Sequence, residues 1–260
     1  MNYYAASALI NGLTSSAFGL YIYTRNKKDI RYITYGLFCI SLSVWSYFYF
    51  LWQITTSEYF ALLCVRVLMV GAIFIPVTCL HHVLSLLYLN NKKKRLLIAC
   101  YAISSLFLIS NFTPLFVKNV TTKHLFKYWP TPGVIFHFFL LYFVCIIAYF
   151  IYLLFKTYRN SVGIRKNQML YLILSFLIGY GGGSTNYPLW YNIPIYPIGN
   201  ILISVYIAIV AYAIVRHHLM DISVVINRSV TYGLLLGIIF VPAYLAAIIS
   251  HRVTLYSTPP

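Results

Sequence analysis

Apolar residues run along this chain for about 20 positions at a time, and short polar segments separate the runs. A helix needs about 20 mostly apolar residues to cross the hydrocarbon core of a bilayer. The alternation of apolar and polar positions that marks transmembrane β-strands is absent. The pattern therefore predicts an all-α fold, a polytopic bundle of transmembrane helices. The eight predicted spans are residues 3–24, 32–52, 59–89, 96–112, 133–155, 168–187, 197–215 and 230–249.

Composition supports an integral membrane protein. Hydrophobic residues make up 61% of the 260 positions and charged residues only 8%, and the mean hydropathy is +0.80. A soluble domain of this length could not bury so much apolar surface. We predict a seven-helix region over residues 1–216, a cytoplasmic hinge over 217–229, and an eighth helix with a short outer tail over 230–260.

The basic residues indicate an orientation in the membrane. The chain has 19 Lys and Arg and three acidic residues, for a formal charge of +16. The loops after the first, third, fifth and seventh spans contain 14 of the basic residues, the other loops and the tail contain four, and Arg66 lies within a span. Basic loops remain in the cytoplasm, so we predict a multi-pass protein of the cell inner membrane with its N-terminus outside. The 14 are Arg25, Lys27, Lys28, Arg31, Lys92, Lys93, Lys94, Arg95, Lys156, Arg159, Arg165, Lys166, Arg216 and Arg228.

Attraction of these loops to the anionic lipid bilayer is enough to explain the charge, and nucleic acid is not predicted as a partner.

Arg66 is a candidate for ligand contact because an ionisable group at membrane depth is a functional candidate by default. It lies two helical turns after Glu58, so both side chains can lie on one helix face. The alternative is that Arg66 pairs with Glu58 or extends its side chain to the membrane surface. If Arg66 faces a cavity, a carboxylate or phosphate would be its natural partner.

Two further candidates for ligand contact are Asn186 and Trp190. Asn186 belongs to "GYGGGSTNYP", residues 179–188, which ends the sixth span. This segment is typical of tight helix packing followed by a helix stop, and a pocket at an unwound helix end is the alternative. Trp190 and nearby outer aromatic residues, including Trp129, fit an interfacial aromatic belt, with a ligand lid as the alternative.

No pattern in the chain indicates catalysis, a metal site or a cofactor. The adjacent pairs His81–His82 and His217–His218 lack the spacing of three or four residues that would place two ligands on one helix face. The five cysteines are isolated. We find no glycine-rich ATP-binding segment, no phospho-accepting histidine motif and no nucleophile with a base.

The hinge contains one of the three acidic residues. Arg216 ends the seventh span, Asp221 follows, and Arg228 lies seven residues further on. Asp221 can pair with either arginine and so fix the geometry between the seventh and eighth helices. The surrounding amphipathic stretch suits the inner membrane surface.

The segment "YPIGNILISVYIAIVAYAIVRHHLMDISVVINRSVTYGLL", residues 196–235, resembles the N-terminal seven-helix (7TM) region of bacterial sensor histidine kinases. Members of that family show a proline and a glycine opening a helix, Ala-Tyr-Ala-Ile before a basic residue, Leu-x-Asp-Ile, and an arginine ahead of Tyr-Gly. Gly71, Pro76 and the helix spacing are also similar. The resemblance implies a sensory input region that is followed, in such proteins, by a cytoplasmic kinase.

Eight spans from an outer N-terminus would return the C-terminus to the outside, where an ATP-dependent kinase could not work. We therefore expect a non-enzymatic, membrane-embedded sensory region of a two-component receptor, lacking the kinase in this chain. The expected partners are an unknown small ligand and either a second copy or a separate cytoplasmic kinase. A small-solute transporter is the alternative, and a membrane oxidase, which the histidine spacing disfavours, is the third.

Overall fold

A computed structural model describes residues 2–217. Within them the chain forms seven α-helices, a two-stranded sheet between α4 and α5, and two short 3-10 helices between α6 and α7. The helices are α1 (Tyr3–Arg25), α2 (Ile30–Ile54), α3 (Glu58–Leu86), α4 (Lys94–Asn111), α5 (Val134–Arg159), α6 (Gly163–Ser184) and α7 (Leu202–His217). Strands β1 (Val117–Lys123) and β2 (Phe126–Pro132) and the 3-10 helices η1 (Pro188–Tyr191) and η2 (Ile198–Ile201) complete the fold.

Five of the described helices, α1 to α5, are long and apolar enough to cross a membrane. Each of the first seven predicted spans coincides with a helix, so the positions of the helices are confirmed. Crossing of the membrane by α6 and α7 stays a prediction, because α6 begins in a polar segment and η2 takes the first turn of the seventh apolar run. The predicted eighth span lies outside the described residues.

Local side chains begin and end several helices. Asn2, Asp29 and Ser57 are N-caps, each accepting a hydrogen bond from a backbone N–H in the first turn of α1, α2 or α3. Such caps satisfy N–H groups that have no partner within the helix. Tyr88, with a positive φ of 58°, follows the end of α3. The third helix therefore stops at Leu86, three residues before the predicted end of its span.

Close packing of α2 against α3 organises the core. A Cβ atom built on Gly71 of α3 would lie 2.5 Å from the carbonyl oxygen of Ser41 and 2.7 Å from the backbone nitrogen of Trp45. The two backbones therefore approach as closely as small residues at helix interfaces allow. The same holds between α6 and η2, where a Cβ on Gly182 would lie 2.3 Å from the carbonyl oxygen of Gly199.

Residues 117–132 correct the prediction of an all-helical fold. Strands β1 and β2 form an antiparallel hairpin with Thr121 opposite Trp129 and Lys123 opposite Phe126. Valine, threonine and aromatic residues favour strands, and His124 at the turn has a φ of 50°. We call the end of the bundle that contains this hairpin the hairpin end, and the opposite end, with the α1–α2, α3–α4 and α5–α6 connections, the basic end.

The predicted hinge is almost entirely outside the described residues. Arg216 lies in the last turn of α7. Asp221 and Arg228, together with the proposed boundary between the hinge and the eighth helix, lie outside residues 2–217.

Candidate functional site

A cavity of about 70 Å³ lies at the hairpin end of the bundle. Its walls come from α2, α3, α5, α6 and α7, and Trp129 of β2 and Trp190 of η1 complete it. A water molecule needs about 10–15 Å³ measured in this way, so the volume admits a small molecule rather than a single water.

The lining is aromatic and without formal charge. Ten of the nineteen lining residues have aromatic rings, and none is Asp, Glu, Lys, Arg or His. Small-molecule sites are typically apolar concavities with a few polar groups that fix orientation. The ten aromatic residues are Phe38, Trp45, Tyr49, Trp52, Trp129, Phe143, Tyr180, Tyr187, Trp190 and Tyr206.

All four tryptophans of the chain line this cavity. Trp129 is fully buried and Trp190 is 5% exposed, so the prediction that these two belong to an interfacial aromatic belt is wrong. The ring centroids of Trp52 and Trp129 are 4.6 Å apart, and Trp190 stacks on Phe136 at 4.1 Å. The indole rings of all four tryptophans therefore belong to the wall of one cavity.

The hairpin is fastened over the cavity at three points. Trp52 Nε1 donates to the carbonyl oxygen of Tyr128 at 2.6 Å, and the Tyr128 hydroxyl donates to the carbonyl oxygen of Thr56 at 2.8 Å. Lys123 Nζ donates to the carbonyl oxygen of Trp190 at 2.5 Å, which joins the hairpin to η1. Burial lowers the pKa of Lys123.

The glycine-rich segment both packs tightly and opens the cavity. Gly182 is the residue in contact with Gly199, whereas Gly179 and Gly183 line the cavity. The helix stops at Ser184, and Asn186 follows within the cavity wall. Within "GYGGGSTNYP", tight packing therefore describes Gly182, and the wall of a pocket describes Gly179, Gly183 and Asn186.

A buried polar network connects this wall to the first and last described helices. Asn186 Nδ2 donates to Asn200 Oδ1 at 3.4 Å, and Asn200 Nδ2 donates to Ser7 Oγ of α1 at 3.3 Å. Asn11 Nδ2 of α1 donates to the carbonyl oxygen of Asn200 at 2.9 Å, and Ser204 of α7 donates to Asn11 Oδ1. We call these five residues the asparagine network.

Four side chains that line the cavity have a buried polar atom with no hydrogen-bond partner in the described part of the chain. The atoms are Tyr49 Oη, Trp129 Nε1, Tyr180 Oη and Asn186 Oδ1. Tyr49, Trp129 and Asn186 are 1%, 0% and 6% exposed, and Tyr180 is half-buried. Buried polar groups are nearly always paired, so four unpaired atoms on the residues of one wall make this cavity the candidate site.

The structure divides the four predicted ligand contacts. Asn186 and Trp190 line the cavity, and Arg66 and Glu58 do not. Glu58 is exposed in the first turn of α3 and makes no ion pair with Arg66. Arg66 is half-buried, its Nε has no hydrogen-bond partner among the described residues, and its carbonyl oxygen accepts from Asn111 Nδ2 at 2.7 Å.

Comparison with known families assigns the chain. Residues 7–223 match the family model described as the N-terminal 7TM region of histidine kinase. The chain belongs to this family. The match includes the asparagine network and the cavity. It confirms the resemblance to this family, and residues 196–223 of the segment that carries the resemblance lie within the match. Neither the comparison with curated proteins nor that with solved structures gives a match.

Sequence reasoning missed most of the cavity wall of this 7TM region, although α2 carries a signal for it. Phe38, Leu42, Trp45, Tyr49 and Trp52 recur at intervals of four, three, four and three residues, and all five line the cavity. This spacing places large residues along one helix face. An uninterrupted run of apolar residues hides that face, because the opposite side of the helix is apolar too.

Proposed function

We propose that this chain is the signal-input region of a two-component histidine-kinase-type receptor, and that its stimulus is a small molecule bound in the aromatic cavity. The observation that carries the proposal is the cavity itself, in a chain of the 7TM family. Sensing, rather than catalysis, is the role that we assign to these residues.

In the proposed orientation the protein spans the cell inner membrane. The hairpin end lies outside, and the basic end lies in the cytoplasm. It is supported by the connections at the basic end, whose Lys and Arg residues favour the cytoplasmic side. In this orientation a ligand from outside meets the hairpin first. The described connections contain Lys27, Lys28, Lys92 and Lys93. The adjoining helix ends carry Arg25, Arg31, Lys94, Arg95, Lys156, Arg159, Arg165 and Lys166.

The proposed output passes through α7. Ile203 and Tyr206 of α7 line the cavity, and the chain continues from α7 into the predicted hinge that contains Asp221. A ligand that fits one arrangement of α7 better than another shifts the population toward it. The hinge, with Arg216, Asp221 and Arg228, would report that shift to the cytoplasm. The proposed partner is either a second copy of this chain or a separate cytoplasmic kinase.

A kinase chimera tests the proposal. Residues 1–229 are fused to the cytoplasmic module of a histidine kinase, and autophosphorylation is measured in membrane vesicles. Tyr206→Ala removes a ring from the cavity wall, and we expect basal autophosphorylation to change by about twofold to tenfold, the range of coupling changes of about 0.5–1.4 kcal/mol. Asp221→Asn should also shift basal output because it removes the hinge carboxylate.

The matched control is Tyr152→Ala, which truncates a tyrosine that is 56% exposed on α5. Its autophosphorylation should equal that of the unmodified chimera at the same membrane level. If the Tyr206 and Asp221 variants also equal the unmodified chimera, the region does not control a kinase and the proposal is wrong.

A further inference from the structure

We infer that the cavity binds a neutral, ring-containing molecule that carries both a hydrogen-bond acceptor and a hydrogen-bond donor. The molecule has roughly six to ten non-hydrogen atoms, a size estimated from the number of water molecules that the cavity could hold. The inference rests on the proposed function, since it names the chemical class of the stimulus for that site. Four properties of the wall support it.

Size follows from the cavity volume. About 70 Å³ divided by 10–15 Å³ for each water gives about five to seven water positions. A water molecule occupies about 30 Å³ of liquid, so the same space corresponds to one substituted ring. A long acyl chain or a peptide is larger than this space.

Neutrality follows from the absence of charge in the wall. None of the nineteen lining residues carries a formal charge. The ammonium of Lys123 lies behind the wall, where the carbonyl oxygens of Trp190 and Pro130 accept its hydrogen bonds. An ion in this cavity would lose its water and find no counter-charge, which is strongly unfavourable.

A ring follows from the shape and chemistry of the wall. Flat rings approach one another at offset or edge-on geometries with centroids about 4.5–7 Å apart, and such pairs are favourable beyond their buried area. The rings of Trp45, Tyr49 and Trp52 already pack in this way, at 5.3 and 5.0 Å. A ligand ring extends the same packing, whereas a saturated chain fills the space without these contacts.

The donor and acceptor follow from the four unpaired atoms. Trp129 Nε1 can only donate, so the ligand needs an acceptor. Asn186 Oδ1 can only accept, and the amide is assigned this way round because Asn186 Nδ2 donates to the carbonyl oxygen of Gly183 at 2.9 Å. The ligand therefore needs a donor as well, and the hydroxyls of Tyr49 and Tyr180 can pair with either kind of group.

The experiment uses the full 260-residue chain in lipid nanodiscs, with tryptophan fluorescence as the readout because all four tryptophans line the cavity. Benzyl alcohol, which has eight non-hydrogen atoms and one hydroxyl, is the main probe. Toluene lacks the hydroxyl, cyclohexylmethanol lacks the aromatic ring, and benzoate adds a charge. Each concentration is corrected for the probe dissolved in lipid.

We expect benzyl alcohol to change the fluorescence saturably. It should bind about threefold to tenfold more tightly than toluene, since one hydrogen bond contributes about that factor. It should bind more tightly than cyclohexylmethanol by a similar factor of about threefold to tenfold, since only an aromatic ring forms favourable pairs with the rings of the wall. Benzoate should not bind. Saturable benzoate binding, equal affinities for benzyl alcohol and toluene, or no saturable response to any probe would each overturn the inference.

Two variants locate the binding. Asn186→Leu removes the side-chain amide and Tyr49→Phe removes the hydroxyl from the wall. Each should weaken benzyl alcohol binding about twofold to tenfold while leaving toluene binding unchanged. The matched controls are Asn167→Leu and Tyr59→Phe, at exposed positions of α6 and α3. Equal weakening by a control would show that the loss of affinity does not come from the cavity wall, and it would overturn the inference.

Failure here and failure of the sensory role give different results. If no probe binds while Tyr206→Ala and Asp221→Asn still shift the output of the kinase chimera, the ligand class is wrong and the sensory role stands. If benzyl alcohol binds as expected while every variant of the chimera has the autophosphorylation of the unmodified chimera, the binding site is confirmed and its role as a sensor is wrong.

Discussion

Lys123 lies where a lysine side chain is costly, since only 8% of it is exposed. Two carbonyl oxygens, of Pro130 and Trp190, accept its hydrogen bonds at 3.1 and 2.5 Å. One carbonyl belongs to the hairpin and the other to η1, so a single ammonium group holds together the two segments above the cavity. Without this donor the two buried carbonyl oxygens would be unpaired, which is costly.

Replacing Lys123 with methionine should therefore loosen the hairpin. Lys123→Met keeps most of the apolar stem but removes the ammonium group, and we expect a loss of about 1–3 kcal/mol in the free energy of unfolding. At about 2–4 °C per kcal/mol for a chain of this size, the melting temperature should fall by about 2–12 °C. Lys118→Met, at an exposed position of the same strand, is the control, and an equal loss in both variants would contradict the prediction.

The same residue predicts a dependence on pH. Burial lowers the pKa of Lys123 below the 10.5 of an ordinary lysine. Between the lowered value and 10.5 the unfolded chain binds more protons than the folded chain, so the Lys123 contribution to stability rises with pH across that window. Melting curves at a series of alkaline pH values should show this rise in the unmodified chain relative to Lys123→Met. A constant difference between the two chains would show that Lys123 does not titrate there.

Among the elements, α2 and α3 form the wall on which the cavity depends, and Gly71 sets their separation. We predict that Gly71→Ala destabilises the fold by about 1–3 kcal/mol, the usual cost of overpacking a core, because its Cβ would meet backbone atoms of Ser41 and Trp45. It should also shift the tryptophan emission, since Trp45 must move. Thermal unfolding in nanodiscs and emission spectra measure both effects.

Gly181→Ala is the matched control, because no atom lies within 4 Å of a Cβ at that position of α6. Alanine is the better helix former, so this variant should be unchanged or stabilised by up to about 1 kcal/mol. If Gly71→Ala leaves the melting temperature as unchanged as Gly181→Ala does, α2 and α3 do not pack as closely as described and the prediction is wrong.

At this scale the sequence predicts helices well and the site poorly. Continuous apolar runs locate all seven described helices because each run must satisfy its own backbone hydrogen bonds. The hairpin over residues 117–132 was missed because its large residues resemble those of an interfacial connection. The cavity was mostly missed because its wall forms only when residues far apart in sequence come together. Arg66, the only basic residue within a predicted span, is not part of that wall.

For the whole molecule, the uneven distribution of basic residues predicts the topology. A reporter that is active only outside the cytoplasm should be inactive when fused after Lys94 and active when inserted at the hairpin turn, after His124, because basic connections are retained inside. Equal expression of both fusions is the control. Activity after Lys94 would reverse the proposed orientation.

The asparagine network has a consequence for the order in which the protein is made. Asn11 of α1 pairs with the carbonyl oxygen of Asn200, 189 positions later in the chain. During synthesis α1 is made first and enters the bilayer long before that partner exists, so its amide is left to lipid, to water or to a chaperone in the meantime. The contact between α1 and α7 can form only when α7 has been made, and a nascent chain interrupted before Asn200 leaves the amide of Asn11 within the membrane without this partner.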